Sequence, residues 1–215
     1  ARNITWFRTP EKGCQKTDNG YYEWFRGGQL NTCYLALDHH VKNGRGEKTA
    51  LIYDSPVTQT TQHFTFSELL TQVAHFAGAL SSLGVAKGDR VIIYMPMIPQ
   101  AVVAMLACAR LGAIHSVVFG GFASNELAVR IDDAKPKVIV TASCGIEGSK
   151  VLAYKPLVDE AVTLASHKPS ACVLFQRPQL LASLNEGTDY DWQELVAASQ
   201  PAEPVAVDAT DPLYV

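Results

Sequence analysis

Apolar positions along the chain change their period several times, and each change marks an element. Over "TFSELLTQVAHFAGALSSLG", Leu69, Leu70, Val73, Phe76, Ala77 and Leu80 recur every three or four residues, the spacing of one helix face. Ser67 is placed as the cap of that helix and Gly84 as its end. Beyond it, "DRVIIYM", "AIHSVVF", "PKVIVTA" and "SACVLFQ" are short, nearly continuous apolar runs rich in Val and Ile. Strands buried on both faces of a parallel sheet read this way. Between them lie the helical segments "PQAVVAMLACARLG", "SNELAVRIDDA" and "KPLVDEAVTLAS", with Ser124 placed as the cap of the second. This alternation predicts an α/β fold, an open and largely parallel sheet with helices on both faces.

The flanks follow a different pattern. Residues 1–45 read as an N-terminal extension docked on the body, irregular and aromatic at first and helical after Asn31. Asn31 or Thr32 caps that helix, and Leu35, Leu37 and Val41 supply its apolar face. Trp24 and Phe25 are expected to anchor the extension, because exposed aromatics of this size would form a sticky patch. Residues 46–215 are expected to be the first part of a large α/β domain. "KTALIYDS" reads as a strand and "PVTQTTQ" as a hairpin or surface loop. Met95, Met97 and Met105 read as core filling. The tail from "RPQLLASL" onward is polar and Pro-containing around one short helix near Trp192, and "DPLYV" begins a further buried strand. A domain ending there would leave backbone groups unpaired, so the chain is expected to be cut short.

Composition narrows the class without naming a chemistry. A net charge of −3 over 215 residues, with 47% hydrophobic and 18% charged positions, is ordinary globular composition. Nucleic acid, whose binders carry a basic face, is not an expected partner. The densest apolar run, "AVVAMLACARLGAIHSVVF", is broken by Arg110, Gly112 and His115. It falls short of the roughly 18 apolar residues of a membrane span, so no membrane partner is expected. "ARNITWFRTPEK" lacks the apolar core of a secretory signal. Cys14, Cys33, Cys108, Cys144 and Cys172 form no CxxC pair and no metal spacing. They are expected to be reduced thiols of an intracellular, cytoplasmic protein, or of the mitochondrial matrix in a eukaryote.

Two strand-end segments could carry chemistry. Ligands of open parallel sheets sit beyond the carboxyl ends of the strands, where "FGG" (Phe119, Gly120, Gly121) and the small-residue loop "SCGIEGSK" fall. Glycines let backbone amides approach a phosphate or a flat ring closely, and the following helix adds its dipole. Neither GxGxxG nor GxxxxGK[ST] is present. The Gly pair therefore reads either as a tight strand–helix turn, its commoner use, or as a cradle. Lys150 reads either as a surface lysine or as a point charge for a phosphate.

The segments "WFRGGQLNTCYLALDHHV", "YDSPVTQT", "FTFSELL…AVRI" and "VIVTASCGIEGSKVLAYKPLVDEA" resemble the N-terminal part of short-chain acyl-CoA synthetases of the adenylate-forming superfamily. The resemblance covers essentially the whole chain, and "ALIYDSPVT" is similar to the propionate-activating branch. It implies joining of propionate or a similar short carboxylate to coenzyme A through acyl-AMP, with ATP consumed and Mg held at sites that follow this segment. It implies that this piece alone is inactive and holds no catalytic residue. It also implies a coenzyme A site in which Phe119, Gly120 and Gly121 pack near the adenine. Glu147, Gly148, Ser149 and Lys150 face the phosphates in that site, with Leu152 flanking. Acetyl-specific relatives carry arginine at the positions of Glu147 and Lys150. A carboxylate beside a phosphate is repelled by about 1 kcal/mol or more, so Lys150 is expected to be the phosphate ligand and Glu147 to orient it or to bond a neutral donor. Arg130 is expected on the surface or stabilising its own helix. An acetyl-CoA or acetoacetyl-CoA synthetase segment, or a non-catalytic binding module, are the alternatives.

Overall fold

The computed structural model describes residues 4–215. Ahead of the body come a hairpin, β1 (Cys14–Lys16) and β2 (Tyr22–Trp24), strand β3 (Gln29–Leu30), and two π-helical turns, Tyr34–Asp38 and Val41–Arg45. Asn31 caps this helical stretch as expected, its Oδ1 accepting the Tyr34 N–H at 3.0 Å. The same side chain donates to the carbonyls of Ala109, Arg110 and Val205 at 2.8 to 3.0 Å, which locks the extension to the body. The hairpin read from "KTALIYDSPVTQTTQ" is present as β4 (Thr49–Ser55) and β5 (Thr60–Thr65), paired antiparallel.

The alternating region forms as predicted. Helix α1 (Phe66–Ser82) leads to β6 (Arg90–Met95), α2 (Pro99–Leu111), β7 (Ile114–Phe119), α3 (Ser124–Ala134) and β8 (Val138–Ala142). After β8 the chain does not loop directly into a helix. It turns back on itself as the antiparallel hairpin β9 (Cys144–Glu147) and β10 (Lys150–Ala153), then enters α4 (Lys155–Leu164) and β11 (Ala171–Phe175). The tail supplies β12 (Asp189–Asp191), α5 (Trp192–Ala197) and β13 (Val207–Asp208). β12 is a polar "DYD" strand with no apolar signal, and it pairs only along one side of β11.

One five-stranded sheet, ordered β12-β11-β8-β6-β7, holds these elements, and every pairing in it is parallel. Strand residues alternate between its two faces. Val91, Ile93, Val138, Val140 and Val173 join the core under α1 and α2, whereas Ile92, Tyr94 and Ile139 join the core under α3 and α4. Burial on both faces explains the continuous apolar runs. At the β7 edge, Tyr214 makes an isolated parallel bridge to His115, but Tyr214 and Val215 are each 70% exposed, so the buried strand expected in "DPLYV" is not formed among the described residues.

Two caps differ from expectation. Thr65, not Ser67, caps α1: it accepts the Glu68 N–H while the Glu68 carboxylate takes the Thr65 N–H, a reciprocal capping box. The signal T-x-x-E starts two residues before the serine. Ser124 is the first residue of α3 and Ala123 its cap position. Its hydroxyl is used instead to reach Glu160 of α4 at 2.7 Å.

The extension does dock, but not through Trp24, which is 60% exposed. Docking runs through β3, which pairs with β13, and through a buried ion pair between Asp38 and Arg110 of α2. Phe25, at φ 56°, packs against Trp6. Met95 is buried as expected, but Met97 is 87% exposed at the sheet's ligand-side edge. Arg130 lies where expected, paired with Glu126 one turn away and stacked over Phe122.

Candidate functional site

The carboxyl ends of β6 and β7 meet the β4–β5 turn and the end of β9 around a cleft of about 540 Å³, within the size range of small-molecule sites. Val57 of the β4–β5 turn, Met97, Phe119, Glu147, Tyr154 and Arg177 contribute to its walls. Phe119 offers its ring to solvent, 67% exposed, with Phe122 edge-on and the ring centroids 5.9 Å apart.

The glycines of "FGG" have separate roles. A Cβ on Gly120 would stand 2.6 Å from the Tyr154 hydroxyl and 2.9 Å from the Met95 carbonyl. The missing side chain therefore makes room for a tyrosine of this chain. Gly145 does the same on another side, where a Cβ would fall 2.6 Å from Tyr154 Cε1. Tyr154 is buried between the two glycines, and burial pushes its hydroxyl up to about 12. Gly121 does need its left-handed φ of 119°. Its amide donates to the Tyr94 hydroxyl at 3.3 Å, and that hydroxyl donates to the Phe122 carbonyl at 2.8 Å. The Glu147 carboxylate covers Gly121, 2.7 Å from where a Cβ would stand. The turn is thus occupied from within, and its amide is already committed.

Replacing Gly145 with alanine is expected to cost about 1–3 kcal/mol through overpacking of Tyr154. Chemical denaturation measures this directly, and a cost near zero would show that Tyr154 has room to move.

The second segment forms the β9–β10 hairpin, with Gly148 at φ 58° in its turn. Glu147 and Lys150 stand opposite each other in its register, yet no ion pair joins them among the described residues, so Glu147 does not orient Lys150 here. Lys150, Gly148 and Ser149 are exposed on the turn, and Leu152 is half-buried against the α3–α4 core. Of the eight residues expected at the ligand, Phe119, Gly120 and Glu147 line the cleft, and the others lie outside its walls. Sequence reasoning missed Tyr154 and Arg177. Tyr154 sits beside the helix signal "KPLVDEAV", and Arg177 two residues past an apolar strand, where a lone arginine looks like a solvated end.

Comparison with known proteins settles the family. A model described as AMP-binding enzyme matches residues 37–215, and one described as acetyl-coenzyme A synthetase N-terminus matches residues 1–36. The chain belongs to the AMP-binding enzyme family. Members of that family similar to it include the human acyl-CoA synthetase short-chain family member 3, mitochondrial, 50% identical over 216 residues, covering 100% of this chain and 32% of the relative. The acetyl-coenzyme A synthetase of Pasteurella multocida is 42% identical, covering 99% of this chain and 32% of its own. Among solved AMP-binding enzymes, the acetoacetyl-CoA synthetase from Streptomyces lividans superposes with a TM-score of 0.87 at 29% identity, over 99% of this chain and 32% of that one. The chain thus spans about a third of the length of the relatives it matches. Among the described residues no helix is long and apolar enough to cross a membrane.

Proposed function

We propose that this chain is the N-terminal part of an AMP-forming short-chain acyl-CoA synthetase. The reaction joins a short carboxylate, ATP and coenzyme A into acyl-CoA, AMP and pyrophosphate through an acyl adenylate, with Mg as the nucleotide's counter-ion. The observation that carries this reading is the likeness along the whole chain to proteins named acyl-CoA and acetyl-coenzyme A synthetases. The cleft at the strand ends supports it, being of small-molecule size and walled by an exposed phenyl ring. Propionate is the acid proposed, on the segment "ALIYDSPVT". Coenzyme A is proposed to lie along the rim formed by Phe119, Gly120, Gly121 and the Glu147–Lys150 turn, with Leu152 behind it. Gly148 and Ser149, without bulky side chains, leave that turn open to a phosphate. The extension over residues 1–45 and the α/β body over residues 46–215 are proposed to act as one unit. An intracellular location, cytoplasmic or in the mitochondrial matrix of a eukaryote, follows from the same reading.

The test is turnover of the full-length protein with acetate, propionate and butyrate in parallel. Propionate is expected to lead in kcat/KM by about tenfold, the worth of one methylene in a fitted pocket. Equal or better use of acetate would move the assignment to an acetyl-CoA synthetase. Absence of carboxylate-dependent pyrophosphate exchange would remove the enzymatic reading.

A further inference from the structure

Three cations are buried among the described residues: Arg110, Lys155 and Arg177. Arg110 is paired with Asp38, and Lys155 with Asp159 and Asp189. Arg177 is 6% exposed, yet no carboxylate lies within ion-pair distance of it among the described residues. Its Nη1 donates to the Cys144 carbonyl at 2.9 Å, and its backbone N–H donates to the Ser143 hydroxyl at 2.8 Å. Nothing among the described residues accepts from Nε or Nη2. The Glu147 carboxylate shares the cleft but is turned toward Gly121. Neither Nε nor Nη2 is among the fully buried unpartnered atoms, so the free side of this guanidinium is open to solvent, in the wall of the 540 Å³ cleft, where an anion can reach it.

We propose that Arg177 is the counter-cation for a phosphate of the ligand that enters this cleft, and that it, rather than Lys150, makes the principal anion contact. The proposal rests on the coenzyme A reading above and names the group that recognises the nucleotide end. A guanidinium presents two parallel N–H donors to phosphate oxygens, and such charge-assisted pairs are the strong ones. Lys150, exposed on a hairpin turn, acts through water as a screened point charge. The ligand phosphate supplies the missing anion, and the Cys144 carbonyl and Ser143 hydroxyl hold the arginine in place.

Binding to the full-length protein by calorimetry tests this, with coenzyme A and with pantetheine, which carries no phosphate. Arg177→Gln keeps a donor for the Cys144 carbonyl and removes the charge. It is expected to weaken coenzyme A by about tenfold or more, the scale of a hydrogen bond to a charged group. Pantetheine, which offers Arg177 no phosphate, is expected to lose far less affinity. Lys150→Ala is expected to weaken coenzyme A by less than about threefold. Equal losses for both ligands would mark Arg177 as merely structural and overturn the proposal, as would unchanged coenzyme A affinity. Should Arg177→Gln fail to fold, Arg177→Lys keeps the charge and gives up the paired donors: weaker coenzyme A binding with pantetheine binding retained supports the proposal, and equal losses for both ligands overturn it. A wild-type protein that binds no coenzyme A at all would instead sink the functional reading itself.

Discussion

Replacing Asp38 with alanine in the full-length protein is expected to destabilise this domain by about 3–5 kcal/mol, the range for removing one partner of a buried ion pair. The Arg110 side chain is 4% exposed and that of Asp38 8%, with Nη1 to Oδ2 at 2.8 Å and Nη2 to Oδ1 at 3.2 Å. That two-point geometry is the strong form of the interaction. Arg110 also donates through Nε to the Ala202 carbonyl, so one guanidinium ties together the extension, α2 and the tail. Cys33, whose sulfur lies 3.8 Å from Nη1, cannot substitute for the carboxylate. Burial pushes its thiol up to about 11 despite the neighbouring arginine, and near neutral pH it is uncharged. Alanine at position 38 therefore leaves a buried cation alone. The double change Asp38→Leu with Arg110→Met removes both charges at similar volume, and is expected to recover most of the loss. Chemical denaturation followed by fluorescence measures both variants. A loss below about 1 kcal/mol for the single variant would mean that water reaches Arg110.

That pair also shows where the sequence stops being informative. Asp38 and Arg110 lie 72 residues apart, and in the sequence Arg110 reads only as an interruption of an apolar run. Periodicity records which face of an element is apolar, not which distant element covers it. The central strands and their helices were legible because a parallel sheet buried on both sides makes nearly every position of β6, β8 and β11 apolar, Arg90 and Thr141 being the exceptions. β12 escaped notice for the converse reason: as an edge strand it needs only backbone groups to pair. The β9–β10 hairpin was hidden because Gly148 and Ser149 look alike in a loop and in a two-residue turn.

At the site, residue type gave position but not purpose. "FGG" fell at a strand end as expected. Its first glycine, however, makes room for Tyr154, and its second holds a positive φ under Tyr94 and Glu147. Both reasons lie in residues more than 20 positions away, beyond any local pattern. The same holds for cations. Lys150 was conspicuous beside small residues, whereas Arg177 closes a strand, and only the fold brings it to the cleft wall.

Trp192→Ala is expected to cost about 3–5 kcal/mol, the range for truncating a buried tryptophan, and to reach the cleft as well. The indole lies flat on Phe76 of α1, with ring centroids 3.5 Å apart and planes 12° apart, and edge-on to Phe175 at 6.0 Å. Phe76 is fully buried and Trp192 7% exposed, so truncation opens a void that α1 and the sheet cannot close. Phe175 ends β11, two residues before Arg177. Its carbonyl accepts the Ser143 N–H at 2.9 Å, and the Ser143 hydroxyl in turn accepts the Arg177 N–H. Loosening Phe175 thus loosens the frame that aims the guanidinium, and coenzyme A affinity is expected to fall along with stability. Trp192→Phe keeps an aromatic face against Phe76 and is expected to lose less of both. If the alanine variant lost stability while keeping full coenzyme A affinity, the link from the α5 packing to the Arg177 wall would be broken.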